Sequence, residues 1–233
     1  MNLQCRLPRV SAGVFLFVLG LSGCVTSPVP RLSAVLELPA AVPTNASRQP
    51  DHWAKIQTLG VATLSDATGP HAAPVISPAF LSRLTQRAKV NLEEQCSVPN
   101  VRIMSVSGTE PHTGSTLIQQ AKHSGLEFFL LVLFSSTEVN RSATFGESRM
   151  MTQMPGTTTD NHALVELALV DVAQGMIVQE ASAVARESMD RLQVPLGEKQ
   201  PTLDEALDIL RANAGQQALD KALSTLTDGC RSA

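Results

Sequence analysis

The stretch Leu126-Glu-Phe-Phe-Leu-Leu-Val-Leu-Phe134 constrains the fold more than any other. It carries one charge in a run otherwise made of large apolar side chains. Its length and near-continuous apolarity predict a central strand covered on both faces. Other segments fall into place around it. Ile56 to Leu64 reads as a buried strand. Ser77-Pro78 predicts a helix start, with Ser as cap and Pro at the first helical position. The stripe Phe80/Leu81, Leu84, Ala88 and Leu92 continues that helix. Val101 to Val106 predicts a short strand, and Ser115 to Ser124 a short helix ended by Gly125. Residues 135–161 are polar and turn-rich, with Gly146 and Pro155-Gly156. Ala163 to Asp171 and Met176 to Val184 read as two strands joined by a turn. Leu203 to Leu226 reads as a long final helix, with Thr202 and Glu205 forming a Thr-x-x-Glu capping box. The expected fold is a single α/β sandwich. Its mixed sheet has about four to six strands, packed by two long helices and one short one.

The beginning of the chain has a different character. Arg6 and Arg9 precede an apolar run from Val14 to Leu21, and Leu21-Ser22-Gly23-Cys24 closes it. The run is too short to span a bilayer and reads as a removed leader. The closing tetrad resembles the lipobox of bacterial lipoproteins. That resemblance implies cleavage before Cys24, acylation of Cys24, and attachment of the mature chain to a membrane. Val25 stands where inner-membrane retention signals place Asp. The resemblance therefore implies an outer-membrane lipoprotein facing the periplasm. The expected division is 1–23 signal peptide, 24–51 lipidated cysteine and tether, and 52–233 globular domain. Five prolines lie within residues 25–50. A tether of that composition extends at about 3 Å per residue, on the order of 80 Å when drawn out. The segment from Leu32 to Leu38 is apolar enough to dock on the domain instead.

Cys5 leaves with the leader and Cys24 takes the lipid, so Cys96 and Cys230 remain. In an oxidising compartment they are expected to pair. Loss of Arg6 and Arg9 moves the formal net charge from −3 to −5. A mildly acidic chain with no basic cluster argues against nucleic acid as a partner. Trp53 is the only tryptophan and tyrosine is absent, which weakens a carbohydrate-binding reading.

Motifs for chemistry are sparse. No GxSxG, GxGxxG, phosphate loop or HExxH occurs. His52, His71, His112, His123 and His162 show no metal-ligand spacing, and no CxxC supports zinc. Met150, Met151 and Met154 read as flexible apolar packing rather than a copper site. Asp66 and Asp171 read as turn residues. The expectation is no catalytic residue, no metal and no cofactor.

Three phrases carry a further likeness: Leu59-Gly-Val-Ala-Thr-Leu-Ser-Asp66, Ala121-Lys-His-Ser-Gly-Leu-Glu-Phe-Phe-Leu-Leu-Val-Leu133, and Glu166-Leu-Ala-Leu-Val-Asp-Val-Ala-Gln-Gly-Met-Ile-Val178. Together they are similar to the fold of lipoprotein activators of peptidoglycan synthases. The curli-secretion channel and the amino-terminal domain of the Tol-Pal propeller protein share that fold. The arrangement also resembles the rhombotarget lipoproteins. The expected function is a membrane-anchored periplasmic binding or regulatory module for an envelope protein, without catalysis. One alternative is a subunit of an outer-membrane secretion channel, with Thr137, Val139, Arg141, Ala143 and Phe145 on the lipid face. Arg141 is costly there, and the return arm Thr157-Thr-Thr-Asp-Asn-His162 is too polar. A periplasmic hydrolase is the other alternative.

Overall fold

Strand β3 (Phe128–Phe145) is the spine of the molecule. The computed structural model describes residues 32–40, 53–66, 77–104, 113–145, 154–192 and 202–231. Among them, β1 (Leu59–Asp66), β2 (Val101–Ile103), β3, β4 (Met154–Asp171) and β5 (Met176–Leu192) form one mixed sheet in the order β2-β1-β3-β4-β5. β1 runs parallel to β2 and β3; β4 is antiparallel to both β3 and β5. The sheet is covered on both faces, as the apolar half of β3 requires. Helices α2 (Pro78–Gln95) and α4 (Leu203–Arg231) pack on one face, where Leu130, Val132 and Phe134 meet Leu84, Leu92, Leu219 and Leu223. Helix α3 (Gly114–His123) and the single-turn α1 (Leu32–Leu36) pack on the other, against Phe129, Leu131 and Leu133.

Local signals set the helix ends. The Ser77 hydroxyl accepts from the Phe80 amide, and Pro78 opens α2. Thr202 and Glu205 close a reciprocal capping box at α4. Gly125 takes φ +66° just past α3, where a side chain would be strained. Gly215 serves packing instead. A Cβ there would lie 2.6 Å from Phe134 and 2.7 Å from Phe80, two rings in edge-to-face contact with centroids 5.4 Å apart. Gly215→Ala gains about 1 kcal/mol of helix propensity. It forces a crowded core apart at about 1–3 kcal/mol. A net loss of about 1 kcal/mol is expected in urea unfolding.

The structure corrects several boundaries. Trp53–Lys55 is a 3-10 turn, so the first strand starts at Leu59 rather than Ile56. β2 stops at Ile103. The final helix runs past Leu226 to Arg231. The largest correction concerns residues 135–161. Their described part is not turn structure: β3 continues to Phe145, β4 begins at Met154, and β5 continues to Leu192. Together these extensions form a three-stranded arm. Polar side chains bind one another across it: Thr159 Oγ1 donates to Asn140 at 2.6 Å, Asn161 Nδ2 to Ser136 at 3.1 Å, and Thr158 Oγ1 to Asp190 at 2.7 Å. Such cross-strand pairs stabilise a sheet without an apolar face.

The tether also changes. Residues 32–40 lie on the domain. The Leu32 amide donates to Glu166 Oε1 at 3.2 Å, Leu36 is buried, and the Ile177 amide donates to Pro39 O at 3.0 Å. Ala40 then forms a parallel bridge with Ile177. The rest of the tether lies outside the described residues.

Candidate functional site

Among the described residues, a dense polar cluster sits on the arm. Register places Arg141 of β3, Asp160 and His162 of β4, and Arg186 and Ser188 of β5 on one face, the face that carries α1 and α3 lower down. The Asp160 side chain is 2% exposed, and the two arginines are each 50% exposed. Arg186 donates to Asp160 Oδ1 through Nη2 at 2.7 Å and Nε at 3.2 Å. Arg141 donates to Oδ2, and the Ser188 hydroxyl to Oδ1. Burial alone pushes the Asp160 carboxyl up. The bonds from Ser188, Arg186 and Arg141, with the charge of Arg186, outweigh it and hold the group at about 2.

That shift ties stability to pH. A carboxyl with a depressed folded-state value stabilises the fold above its ordinary value of 3.8, and the contribution is lost as pH falls towards 2. The size is on the order of 2 kcal/mol. Asp160→Asn is expected to lose that much at pH 7 and to converge with the wild type near pH 2. Urea unfolding across that range checks it.

Beside the carboxylate, burial and the charges of Arg186 and Arg141 lower His162, against the pull of Asp160. The ring is therefore neutral near pH 7. Its Nε2 is buried without a hydrogen-bond partner. Ser188, His162 and Asp160 thus stand on neighbouring strand positions of one face. In a charge-relay triad the imidazole lies between hydroxyl and carboxylate. Here Ser188 donates directly to the Asp160 carboxylate, an order different from that of the triad.

A second feature is a cavity of about 390 Å³ between α2 and α4, lined by Phe80, Leu84, Val90 and Ala212 with Arg83 and Arg87 at its edge. Arg87 is held by a two-pronged ion pair to Asp220, at 2.6 and 2.7 Å. Arg211 of α4 binds Glu138 of β3 at 3.0 Å and so clamps the helix to the base of the arm.

Sequence-predicted residues distribute as follows. Leu21, Ser22, Gly23 and Cys24 lie outside the described residues, as do His52, His71, His112, Met150 and Met151. Cys96 caps the C-terminus of α2 and is disulfide-bonded to Cys230 in the last turn of α4, with Cα atoms 5.1 Å apart. His123 bonds the Gln119 carbonyl through Nδ1 at 2.8 Å at the end of α3. Asp171 accepts the Gln174 amide at 2.9 Å inside the β4–β5 turn. Asp66 ends β1. Thr137, Val139, Arg141, Ala143 and Phe145 do share a strand face, but they share it with Asp160, His162 and Asp190. A lipid-facing barrel surface needs an apolar band instead. The Asp160 cluster was not read from sequence, because its members come from three strands. The Thr157-Thr-Thr run and the alternation through Arg141 were the available hints.

No family model matches the chain, and no curated protein matches it. Among solved structures, the chain is similar to a putative neuraminyllactose-binding hemagglutinin homolog from Helicobacter pylori: 9% identity, 81% of this chain, 91% of that one, TM-score 0.40. It is also similar to the lipoprotein GNA1162 from Neisseria meningitidis, at 13% identity, 67% and 95% coverage and TM-score 0.34. A minor lipoprotein from Acinetobacter baumannii is similar at 13% identity, 76% and 92% coverage and TM-score 0.35. Likeness at these scores assigns no role.

Proposed function

We propose that this protein is a lipid-anchored lipoprotein of the bacterial envelope that acts as a binding module for another envelope protein. The carrying observation is Leu21-Ser22-Gly23-Cys24 behind its apolar run. Acyl chains on Cys24 hold the domain at the membrane, each buried methylene adding about 0.8 kcal/mol. Val25 favours the outer membrane, with the domain on the periplasmic side. Anchoring two partners to one surface raises their effective concentration without new contacts. The described residues support a non-catalytic reading through their wiring: the buried carboxylate Asp160 is taken up by two arginines and a serine rather than offered to a substrate.

In-cell crosslinking followed by mass spectrometry tests the role. The expected result is one recurrent envelope protein crosslinked to residues 53–231. A soluble form with Cys24 replaced that fully rescues a deletion strain would contradict it.

A further inference from the structure

We infer that the β3–β5 arm lies along the bilayer, with the face that carries Arg141 and Arg186 turned to phospholipid headgroups. The inference rests on Cys24 acylation and then on geometry. Leu32 is bound beside Glu166, whereas Ala40 lies beside Ile177, next to the β4–β5 turn. From Leu32 to Ala40 the chain therefore runs from beside the arm towards that turn. It also does so on the α1–α3 face, since Leu32 and Leu36 pack with Leu131, Leu133 and Ala168.

Only residues 25–31 separate Cys24 from Leu32. Fully extended, that leash reaches about 25–30 Å. From Glu166 to Met154 the arm rises about 40 Å at the usual strand spacing. An arm standing upright towards the membrane would therefore overrun its leash and carry its tip into hydrocarbon. Arg141, Asp190 and Arg191 would be drawn towards that depth. Laid flat, the arm fits within the leash. Leu32, where the leash ends, lies on the α1–α3 face, so that face is the one turned down.

The chemistry of the face agrees. Arg141 and Arg186 are each half exposed, and both share the single carboxylate of Asp160. The trio keeps one net positive charge, Asp190 on the same face is tied to Thr158, and each guanidinium keeps N–H donors beyond those spent on Asp160, in a planar fork that matches phosphate. Asp160 orients both forks without neutralising them.

The test uses the full acylated chain in vesicles of phosphatidylethanolamine and phosphatidylglycerol. One fluorophore is placed through Val184→Cys, a position 44% exposed on the arginine face. A second goes through Ser224→Cys, exposed on α4 across the sheet, and a third through Thr144→Cys near the arm tip. With a headgroup-bound quencher, the Val184 probe is expected to be quenched several-fold more than the Ser224 probe. Inserting about twenty Gly/Ser residues between positions 31 and 32 should erase most of that difference, because such a linker is flexible. Equal quenching of the two probes overturns the inference, as does deep quenching of the Thr144 probe by acyl-chain labels. A chain that does not float with the vesicles refutes the anchor itself, and the inference falls with it.

Discussion

Replacing both Cys96 and Cys230 with serine is expected to lower stability by about 3–5 kcal/mol. For a chain of this size that is roughly 10 °C in Tm. The bond joins residues 134 apart in sequence, so the open chain gains much conformational freedom when it is cut. It also ties the C-cap of α2 to the last turn of α4. Leu219, Leu223 and Leu226 keep most of α4 on the sheet without it. The expected variant is therefore folded and weakened. Thermal melts of the wild type with and without reductant should bracket the double variant. A melting point unchanged in all three would mean that the bridge adds nothing.

Leu36→Asp is expected to free residues 32–40 from the domain. Leu36 is 1% exposed in the cluster formed with Leu117 and Leu131. An aspartate there buries a charge with no cation provided for it, at a cost of several kcal/mol. The segment has a cheaper alternative, which is to leave. Its few ties, chiefly Leu32 to Glu166 and Ile177 to Pro39, open with it. A local opening of about 3 kcal/mol raises proteolysis of this stretch roughly a hundredfold while the core stays folded. Limited proteolysis with site mapping reads this directly. Global unfolding of the variant would show instead that α1 belongs to the cooperative core.

How much of this the sequence disclosed depends on where burial was apolar. The lower half of β3 was legible because Leu130 to Phe134 can only be a covered strand. The start of α2 was legible because Ser77-Pro78 carries both a cap and a fixed φ. The upper half of the same strand was not. Thr137 to Thr144 reads as a polar loop until Thr159, Asn161 and Asp160 arrive opposite, and those partners lie about twenty residues away. The Asp160 cluster was hidden for the same reason, with Arg141 and Arg186 on different strands. Docking of Leu32–Leu36 was suggested by composition, but its address depended on Glu166 and Ile177, which nothing local to the tether reveals.

Membrane attachment through Cys24 is the claim on which the account depends. Intact-mass measurement of the mature protein from membranes, paired with fractionation of a Cys24→Ser form, tests it most directly. The expected result is a chain that starts at Cys24 and carries acyl groups, and a serine form that leaves the membrane fraction. A mature chain that retains residues 1–23, or one without acyl groups, would contradict it.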